Sequence, residues 1–152
     1  MYKILRNEKI SESSYLLTIK CPIVIKNAMP GQFIIVMSKE DSERIPLTIY
    51  DYNLDNGTLD LIYQVVGAST KELSENKDAV FAITGPLGKP NEICKNYEEY
   101  KGKRIVYVAG GVGIAPVYPQ VKYLKEKGFI IDVIYGARSK DLLLIKDKIE
   151  HV

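Results

Sequence analysis

The residue types best suited to bind a ligand form one glycine-rich run in the last third of the chain. Gly110, Gly111 and Gly113 follow the apolar stretch 104–109, and Pro116 comes shortly after them. Glycine allows a sharp turn and a close approach of the backbone to a ligand, and proline suits the first turn of a helix. A strand, a glycine turn and a helix N-terminus present free N–H groups to an anion. The run predicts a phosphate site, although such turns also occur in proteins that bind no phosphate.

The run departs from the standard dinucleotide fingerprint, because Pro116 stands where a third glycine is expected. Asp132, about 20 residues further on, falls in the middle of a predicted strand, which is a poor place for a ribose contact. No Lys-Ser or Lys-Thr pair follows the glycines, so the run is not a P-loop either.

Two further groups of residues, both in the first half of the chain, have the chemistry to contact phosphate. Arg44 can clamp a phosphate through two hydrogen bonds, with Pro46 interrupting the local strand ladder and Thr48 offering a hydroxyl. Thr70 begins a short predicted helix whose free N–H groups suit a second phosphate. The plainer interpretations are a surface arginine beside an edge strand and an ordinary helix capped by Ser69.

The elements that position these residues begin with six short strands separated by turn residues. Such a pattern predicts a small antiparallel barrel. Asn56 and Gly57 mark a hairpin turn, after which Leu59, Leu61 and Tyr63 share one face of the fifth strand. The strands are predicted at residues 2–10, 15–20, 32–38, 44–50, 58–66 and 78–84, a helix at 70–75, a loop at 85–90 and a linker at 91–103, while 23–25 either extend the second strand or lie in a loop.

Beyond the barrel, the pattern changes to strand, helix, strand, helix. The strands are predicted at residues 104–109 and 129–135 as buried parallel strands, and the helices follow the glycine turn and span 141–149. This is the opening of a Rossmann-like parallel sheet. The fold class is therefore mainly β plus α/β, with a barrel domain at 1–100 and the start of an α/β domain at 101–152. Sheets of this kind carry about five or six strands, so the second domain looks incomplete.

Composition excludes several classes of function. A hydrophobic content of 46% and a charged content of 26% are typical of a soluble globular protein. The net charge of +2 gives no electrostatic case for nucleic acid or an anionic membrane. No apolar run approaches the ~20 residues of a membrane span, and we expect a cytoplasmic protein. Cys21 and Cys94 have no metal or disulfide spacing and are expected to be inert, and His151 is expected to be incidental.

The order of the motifs resembles the ferredoxin–NADP reductase superfamily. Within it, the chain is similar to the electron-transfer subunits of dihydroorotate dehydrogenase and to the small subunits of NADH-dependent ferredoxin:NADP oxidoreductases. The resemblance covers essentially the whole chain, and the five motifs together are more specific than any one. In order they are Arg44-Ile45-Pro46-Leu47-Thr48, Tyr63-Gln64, Gly67-Ala68-Ser69-Thr70, Gly85-Pro86-Leu87-Gly88 and the run from Gly110 to Pro116.

By this resemblance the barrel would bind FAD and the second domain would bind NAD(P)H. Arg44 would meet the FAD pyrophosphate, and Thr48, the one catalytic candidate, would face the flavin near N5. The FAD-binding residues implied are Arg44, Pro46, Leu47, Thr48, Ile62, Tyr63, Gln64, Gly67, Ser69 and Thr70. The pyridine-nucleotide residues implied are Gly110, Gly111, Val112, Gly113, Ile114, Pro116, Gly136 and Arg138.

The activity implied is hydride transfer between NAD(P)H and FAD, with electrons passing on to an iron–sulfur centre or a partner. The partners implied are a larger catalytic oxidoreductase subunit and ferredoxin. The relatives carry a cysteine cluster for a [2Fe–2S] centre, for which this chain has no ligands, and Val112 replaces a threonine of many reductases. Arg138 favours NADPH if it binds a 2′-phosphate, but it is equally consistent with a structural role.

Two other hypotheses stay open on the sequence alone. The chain could be a non-catalytic flavin-binding or subunit-docking module, which would hold flavin without its reduction by NAD(P)H. It could also be a cofactor-free barrel that binds other proteins and carries an α/β appendage. The second of these predicts that Arg44→Ala changes the binding of no ligand.

Overall fold

The computed structural model, which describes residues 1–152, begins with seven antiparallel strands. They are β1 (Tyr2–Lys9), β2 (Ser14–Lys20), β3 (Phe33–Met37), β4 (Arg44–Asn53), β5 (Thr58–Gln64), β6 (Ala79–Val80) and β7 (Ala82–Leu87). Their order across the sheet is β6-β1-β2-β5-β4-β3-β7. Only Phe81 separates β6 from β7, and its N–H donates to the Met37 carbonyl at 2.9 Å. The two edges of the sheet therefore meet, and the sheet forms a nearly closed barrel.

One apolar cluster fills the interior of this barrel. In β5, Leu59 and Leu61 are fully buried and Tyr63 is nearly so, and all three belong to the cluster. Ile62, between them, is buried in a different cluster outside the barrel wall. This alternation confirms the division of faces predicted for the fifth strand.

The end of the barrel differs from the prediction. The predicted sixth strand at 78–84 is two strands, because β6 pairs with β1 whereas β7 pairs with β3. The change of partner at Phe81 is what brings the two edges of the sheet together. β7 continues to Leu87, so it takes in half of the predicted loop, and residues 23–25 belong to neither a strand nor a loop but to the short helix α1 (Pro22–Ile25).

The segment predicted as a linker is folded. Residues 91–103 contain helix α3 (Glu92–Lys95) and a 3₁₀ turn (Tyr97–Tyr100). Helix α2 (Ala68–Glu75) lies earlier in the chain, between β5 and β6. The Asn91 side chain caps α3 by accepting a hydrogen bond from the Cys94 N–H at 3.0 Å. Cys94 is fully buried and packs with Ile105, Leu124 and Phe129, which fastens the segment to the second unit.

The second unit is a parallel pair of strands with helices on one side. It consists of β8 (Arg104–Gly110), α4 (Ile114–Glu126), β9 (Ile130–Gly136) and α5 (Lys146–Glu150). The helix predicted at 141–149 is broken into a 3₁₀ turn (Lys140–Leu142) and α5, because the intervening Leu144 turns inward and is buried. No helix combines the length and the apolar composition that crossing a membrane requires.

The prediction that β8 and β9 are buried on both faces holds for one face only. Ile105 is buried beneath α4, but Val106, Val108, Ile130 and Ile134 are more than half exposed. The physical reason is that α4 packs against one face of the two strands, while the side chains of the other face stay exposed.

Helix α4 lies against β4 of the barrel and joins the two units. The rings of Tyr50 and Tyr118 have centroids 5.0 Å apart, and Lys122 Nζ lies 2.8 Å from Asp51 Oδ1. Ile62 and Ile114 are buried in the same cluster. This contact holds the glycine turn before α4 at the edge of the barrel.

Candidate functional site

A cavity of about 440 Å³ opens where the barrel meets the first turn of α4. We call it the barrel cavity. It is lined by β4, β5, the start of α2 and the residues around Gly113. Its lining contains the predicted residues Pro46, Leu47, Thr48, Ile62, Tyr63, Gln64, Thr70, Val112, Gly113 and Pro116. The structure therefore brings together three segments that are far apart in the sequence.

Two of these residues turn their side chains away from the barrel cavity. Leu47 and Tyr63 are buried in the barrel core, and the Tyr63 hydroxyl donates to Asn7 Oδ1 at 3.1 Å. Burial raises the pKa of Tyr63 above its ordinary value. These two residues therefore offer mainly backbone to the cavity, whereas Thr48 and Gln64 are only partly buried or exposed and offer polar side chains.

A second cavity, of about 790 Å³, lies beyond the carboxyl ends of β8 and β9. We call it the turn cavity. Gly110, Gly111, Gly136 and Arg138 line it, as does the turn between β1 and β2 at residues 11–14. Arg138 is exposed and forms no ion pair within the chain.

The glycine turn leaves space for a ligand beside the backbone. Gly111 has φ +53°, which an L-residue with a side chain rarely adopts. A Cβ atom at Gly110, Gly111, Gly113 or Gly136 would meet no atom within 4 Å. A 3₁₀ turn (Gly111–Gly113) runs directly into α4, and the Ile114 N–H donates to the carbonyls of Gly111 and Val112. The end of this helical stretch that could bind an anion is therefore at Gly111 and not at the first residue of α4.

The barrel cavity and the turn cavity meet. Gln64 and Val112 line both of them, and Ser14 pairs with Gln64 across β2 and β5. Ligands in the two cavities would therefore both lie beside these two residues.

The start of α2 lies beside the barrel cavity and differs from the prediction in its cap. Gly67, not Ser69, is the N-cap, because the helix begins at Ala68 and Thr70 bonds back to the preceding turn. Thr70 Oγ1 accepts hydrogen bonds from the N–H groups of Val66 at 3.0 Å and Gly67 at 3.2 Å. Ser69 instead donates its hydroxyl to Glu43.

Three predicted residues lie outside both cavity linings and one occupies the core. Arg44, Gly67 and Ser69 line neither cavity, although Glu43 links the start of β4 to Ser69. Ile114 is fully buried among the residues that join the two units, so its side chain is not available to a nucleotide. Gly113 and Pro116, expected at the pyridine nucleotide, line the barrel cavity instead, because the first turn of α4 runs along the barrel edge.

The sequence reasoning missed several lining residues. Val66 and Ala115 line the barrel cavity, and residues 11–14 with Leu142 and Leu144 line the turn cavity. Residues 11–14 carry a strong turn signal, but no local signal says that this turn folds against the second unit.

The remaining candidates have structural environments. Burial raises the pKa of the Cys21 and Cys94 thiols to about 12, which disfavours the reactive thiolate. Asp132 lies in the middle of β9 and pairs with Arg104, whose Nη2 is 2.9 Å from Asp132 Oδ1. No group of three or more His, Cys, Asp or Glu side chains is placed to hold a metal ion.

Comparison with known proteins identifies relatives over almost the whole chain. No family model matches it. It is 47% identical, over 98% of its length, to a protein of Clostridium beijerinckii described only as lying in the adh 3′ region. It is 41% identical, over 99% of its length, to the Thermotoga maritima homologue of the dihydroorotate dehydrogenase B (NAD⁺) electron transfer subunit. The chain is therefore similar over almost its whole length to a homologue of an electron transfer subunit.

Solved structures show that the chain has the fold of ferredoxin reductases. A chain of the NADH-dependent reduced ferredoxin–NADP oxidoreductase, studied for flavin-based electron bifurcation, matches 97% of it at 39% identity with a TM-score of 0.85. Ferredoxin–NADP⁺ reductase from Plasmodium falciparum shares the fold alone, at 17% identity and a TM-score of 0.73. The chain spans about half the length of the curated relatives it matches, 51% and 52% for the two named above.

Proposed function

We propose that the chain binds FAD in the barrel cavity and pyridine nucleotide in the turn cavity, as the electron-transfer part of an oxidoreductase. The observation that carries this proposal is that the two cavities share Gln64 and Val112. Hydride transfer between two cofactors requires that their reacting atoms come close together, and the two adjacent cavities can hold the two rings near these shared residues. The homology to electron transfer subunits supports the same assignment.

The residues present fit FAD. Ile45, Pro46, Ile62, Val66 and Pro116 give the barrel cavity apolar walls suited to a planar ring. The free N–H groups at the start of α2 and the unpaired guanidinium of Arg44 suit a pyrophosphate.

The residues present also fit a pyridine dinucleotide. The glycine turn leaves room for phosphate close to the backbone, and the 3₁₀ turn that begins at Gly111 offers the positive end of a helical stretch beside that space. Arg138 lies at the end of the next strand, where folds of this kind place the adenosine ribose.

FAD, when bound, supplies hydride chemistry at its ring, and the chain's own residues align the ring and adjust its environment. Thr48 places a hydroxyl in the barrel cavity, where it can donate a hydrogen bond to the flavin. Gln64 offers an amide to both cavities and can orient the two ligands against each other. No protein base is needed for hydride transfer, which agrees with a site that contains no histidine.

The reduced flavin must give its two electrons to another group before it can accept a second hydride, and no group of metal ligands in this chain is placed to take them. We infer that a larger catalytic subunit accepts them, as the names of the relatives describe electron transfer subunits. An iron–sulfur centre would have to be supplied by residues outside these 152.

Equilibrium titration of the flavin-free chain with FAD tests the proposal. Arg44→Ala should raise the Kd for FAD by about 30-fold, as expected for loss of a charge-assisted phosphate contact worth about 2 kcal/mol. Arg138→Ala is the matched control, since it removes an equally unpaired arginine from the turn cavity and should leave the FAD Kd unchanged. An unchanged Kd in Arg44→Ala would contradict the assignment of this site to FAD.

A further inference from the structure

The hydroxyl group of Tyr135, near the end of β9, joins the glycine turn to the segment that follows β9. Its oxygen lies 3.0 Å from the Gly111 carbonyl oxygen and 3.3 Å from the Leu142 carbonyl oxygen, and it can donate to either of them. It also accepts a hydrogen bond from the Leu144 N–H at 2.9 Å. Backbone groups from two separate stretches of the chain therefore meet at one side-chain oxygen.

Both stretches line the turn cavity, whereas Tyr135 does not. Gly111, Leu142 and Leu144 belong to the cavity lining. Tyr135 is partly buried and packs against the cluster that joins the two units. Burial raises the pKa of Tyr135, so the hydroxyl keeps its proton at neutral pH and can donate it. Tyr135 therefore supports two walls of the cavity from outside its lining.

The contact with Gly111 bears on the orientation of one peptide group. The Gly111 carbonyl also accepts from the Ile114 N–H, and its two lone pairs can take both donors. In a trans peptide the C=O and the following N–H point in opposite directions, so the Val112 N–H points away from Tyr135. Val112 lines the turn cavity, and its N–H lies at the start of the helical stretch, where N–H groups have no intrahelical partner.

We propose that Tyr135 is a positioning residue for the pyridine nucleotide, because its hydroxyl holds the Gly111–Val112 peptide so that the Val112 N–H can donate to a phosphate of the nucleotide. This inference rests on the proposed function. The hydroxyl has one proton for two carbonyls, and the shorter distance is to Gly111, so the glycine turn is the favoured acceptor. Tyr135→Phe keeps the ring but removes this link, and the turn must then be ordered when the nucleotide binds.

Two measurements compare Tyr135→Phe with the unaltered chain, both loaded with FAD. Calorimetric titration with NAD⁺ and, separately, NADP⁺ gives the Kd of the oxidised nucleotide, and stopped-flow bleaching of the flavin by the reduced nucleotide gives a half-saturating concentration and a limiting rate. We expect the Kd and the half-saturating concentration to rise by about threefold to tenfold. The limiting rate should stay within about twofold, because the lost interaction holds the nucleotide equally before and during hydride transfer. The Kd for FAD should be unchanged.

Tyr107→Phe is the matched control. Tyr107 lies in β8, beside β9, and its buried hydroxyl has no hydrogen-bond partner. It lines neither cavity. Since the substitution removes a hydroxyl that bonds to nothing, all of these constants should equal those of the unaltered chain.

The outcomes separate this inference from the proposed function. An unchanged nucleotide Kd in Tyr135→Phe, where the unaltered chain binds the nucleotide, would overturn the role of Tyr135 alone. A weaker affinity of that variant for FAD, a large fall in its limiting rate, or an equal loss in Tyr107→Phe would also overturn it, because Tyr135 would then support the fold in general and not the glycine turn. An unaltered chain that binds FAD but neither pyridine nucleotide would overturn the proposed function and this inference with it.

Discussion

At the scale of single residues, Asp60 is a titratable group that the proposed chemistry does not use. It lies partly buried on the outer wall of the barrel and accepts a hydrogen bond from Thr18 Oγ1 at 2.6 Å. Burial raises its pKa above the ordinary value, the neighbouring Asp51 adds to the rise, and Lys148 and Arg6 oppose it. The folded chain therefore holds this proton more tightly than the unfolded chain does.

The sign of the pH dependence follows from linkage. Between the ordinary pKa of an aspartate, about 4, and the raised pKa of Asp60, the folded state binds more protons than the unfolded state. The stabilisation of the folded state by protonated Asp60 is therefore present at low pH and is lost as the pH rises through that window. Asp60→Asn should raise the melting temperature at pH 7 by about 1–2 °C, and the gain should disappear below about pH 4.

Thermal melts of both chains across this pH range measure the effect. The exposed Asp41→Asn serves as the control, and it should show no gain at any pH. A melting temperature for Asp60→Asn that is lower than that of the unaltered chain at pH 7 would contradict this account of Asp60.

At the scale of elements, the glycines divide into those that serve a ligand and those that serve the fold. Gly110 has an extended backbone, with φ −127°, and a Cβ there would meet no atom of the chain. Gly128 follows α4 with φ +83°, a conformation that costs about 1–2 kcal/mol for a residue with a side chain.

Two alanine substitutions should therefore have opposite effects. Gly110→Ala should leave the melting temperature within about 1 °C and weaken pyridine-nucleotide binding by about tenfold or more, because its methyl group fills space that the ligand needs. Gly128→Ala should lower the free energy of unfolding by about 1–2 kcal/mol and leave the nucleotide Kd unchanged. Calorimetry with paired titrations checks both, and a stability loss in Gly110→Ala with intact binding would reverse the assignment.

The secondary-structure elements also show which parts of the fold could be predicted from the sequence. Local patterns were sufficient for the inward face of β5, the hairpin at Gly57 and the strand, turn and helix around Gly111. They failed where an element takes its shape from a distant partner. Phe81 interrupts a continuous strand pattern because β6 and β7 pair with different strands, and Leu144 breaks a helical pattern because it packs against the barrel side of α4.

The candidate site follows the same rule. Thr48, Gln64 and Gly113 were predicted from motifs, and the structure brings them to one cavity. The position of the turn at residues 11–14 beside the turn cavity depends on long-range packing, for which the sequence has no local signal.

At the scale of the whole molecule, the contact between α4 and β4 couples the barrel to the α/β unit. Tyr118 is buried against Tyr50, and the Lys122–Asp51 ion pair lies on the same helix face. The turn cavity is walled by both units, so its shape depends on this contact.

Tyr118→Ala should lower the free energy of unfolding by about 3 kcal/mol, the usual loss for removing a large buried ring. It should also weaken pyridine-nucleotide binding, because the two walls of the turn cavity are no longer held together. Tyr118→Phe keeps the ring and should lose less than about 1 kcal/mol. Urea unfolding of the three chains measures the difference, and equal losses in the alanine and phenylalanine variants would show that the ring contact is not what joins the units.

The most direct test of the central claim is the visible absorption spectrum of the chain with FAD bound, recorded without oxygen before and after addition of NADH and, separately, NADPH. The account predicts bands of protein-bound oxidised flavin that bleach when a reduced pyridine nucleotide is added, and less bleaching in Gly110→Ala. Bound flavin that no pyridine nucleotide bleaches would contradict the claim that the two cavities together carry electron transfer.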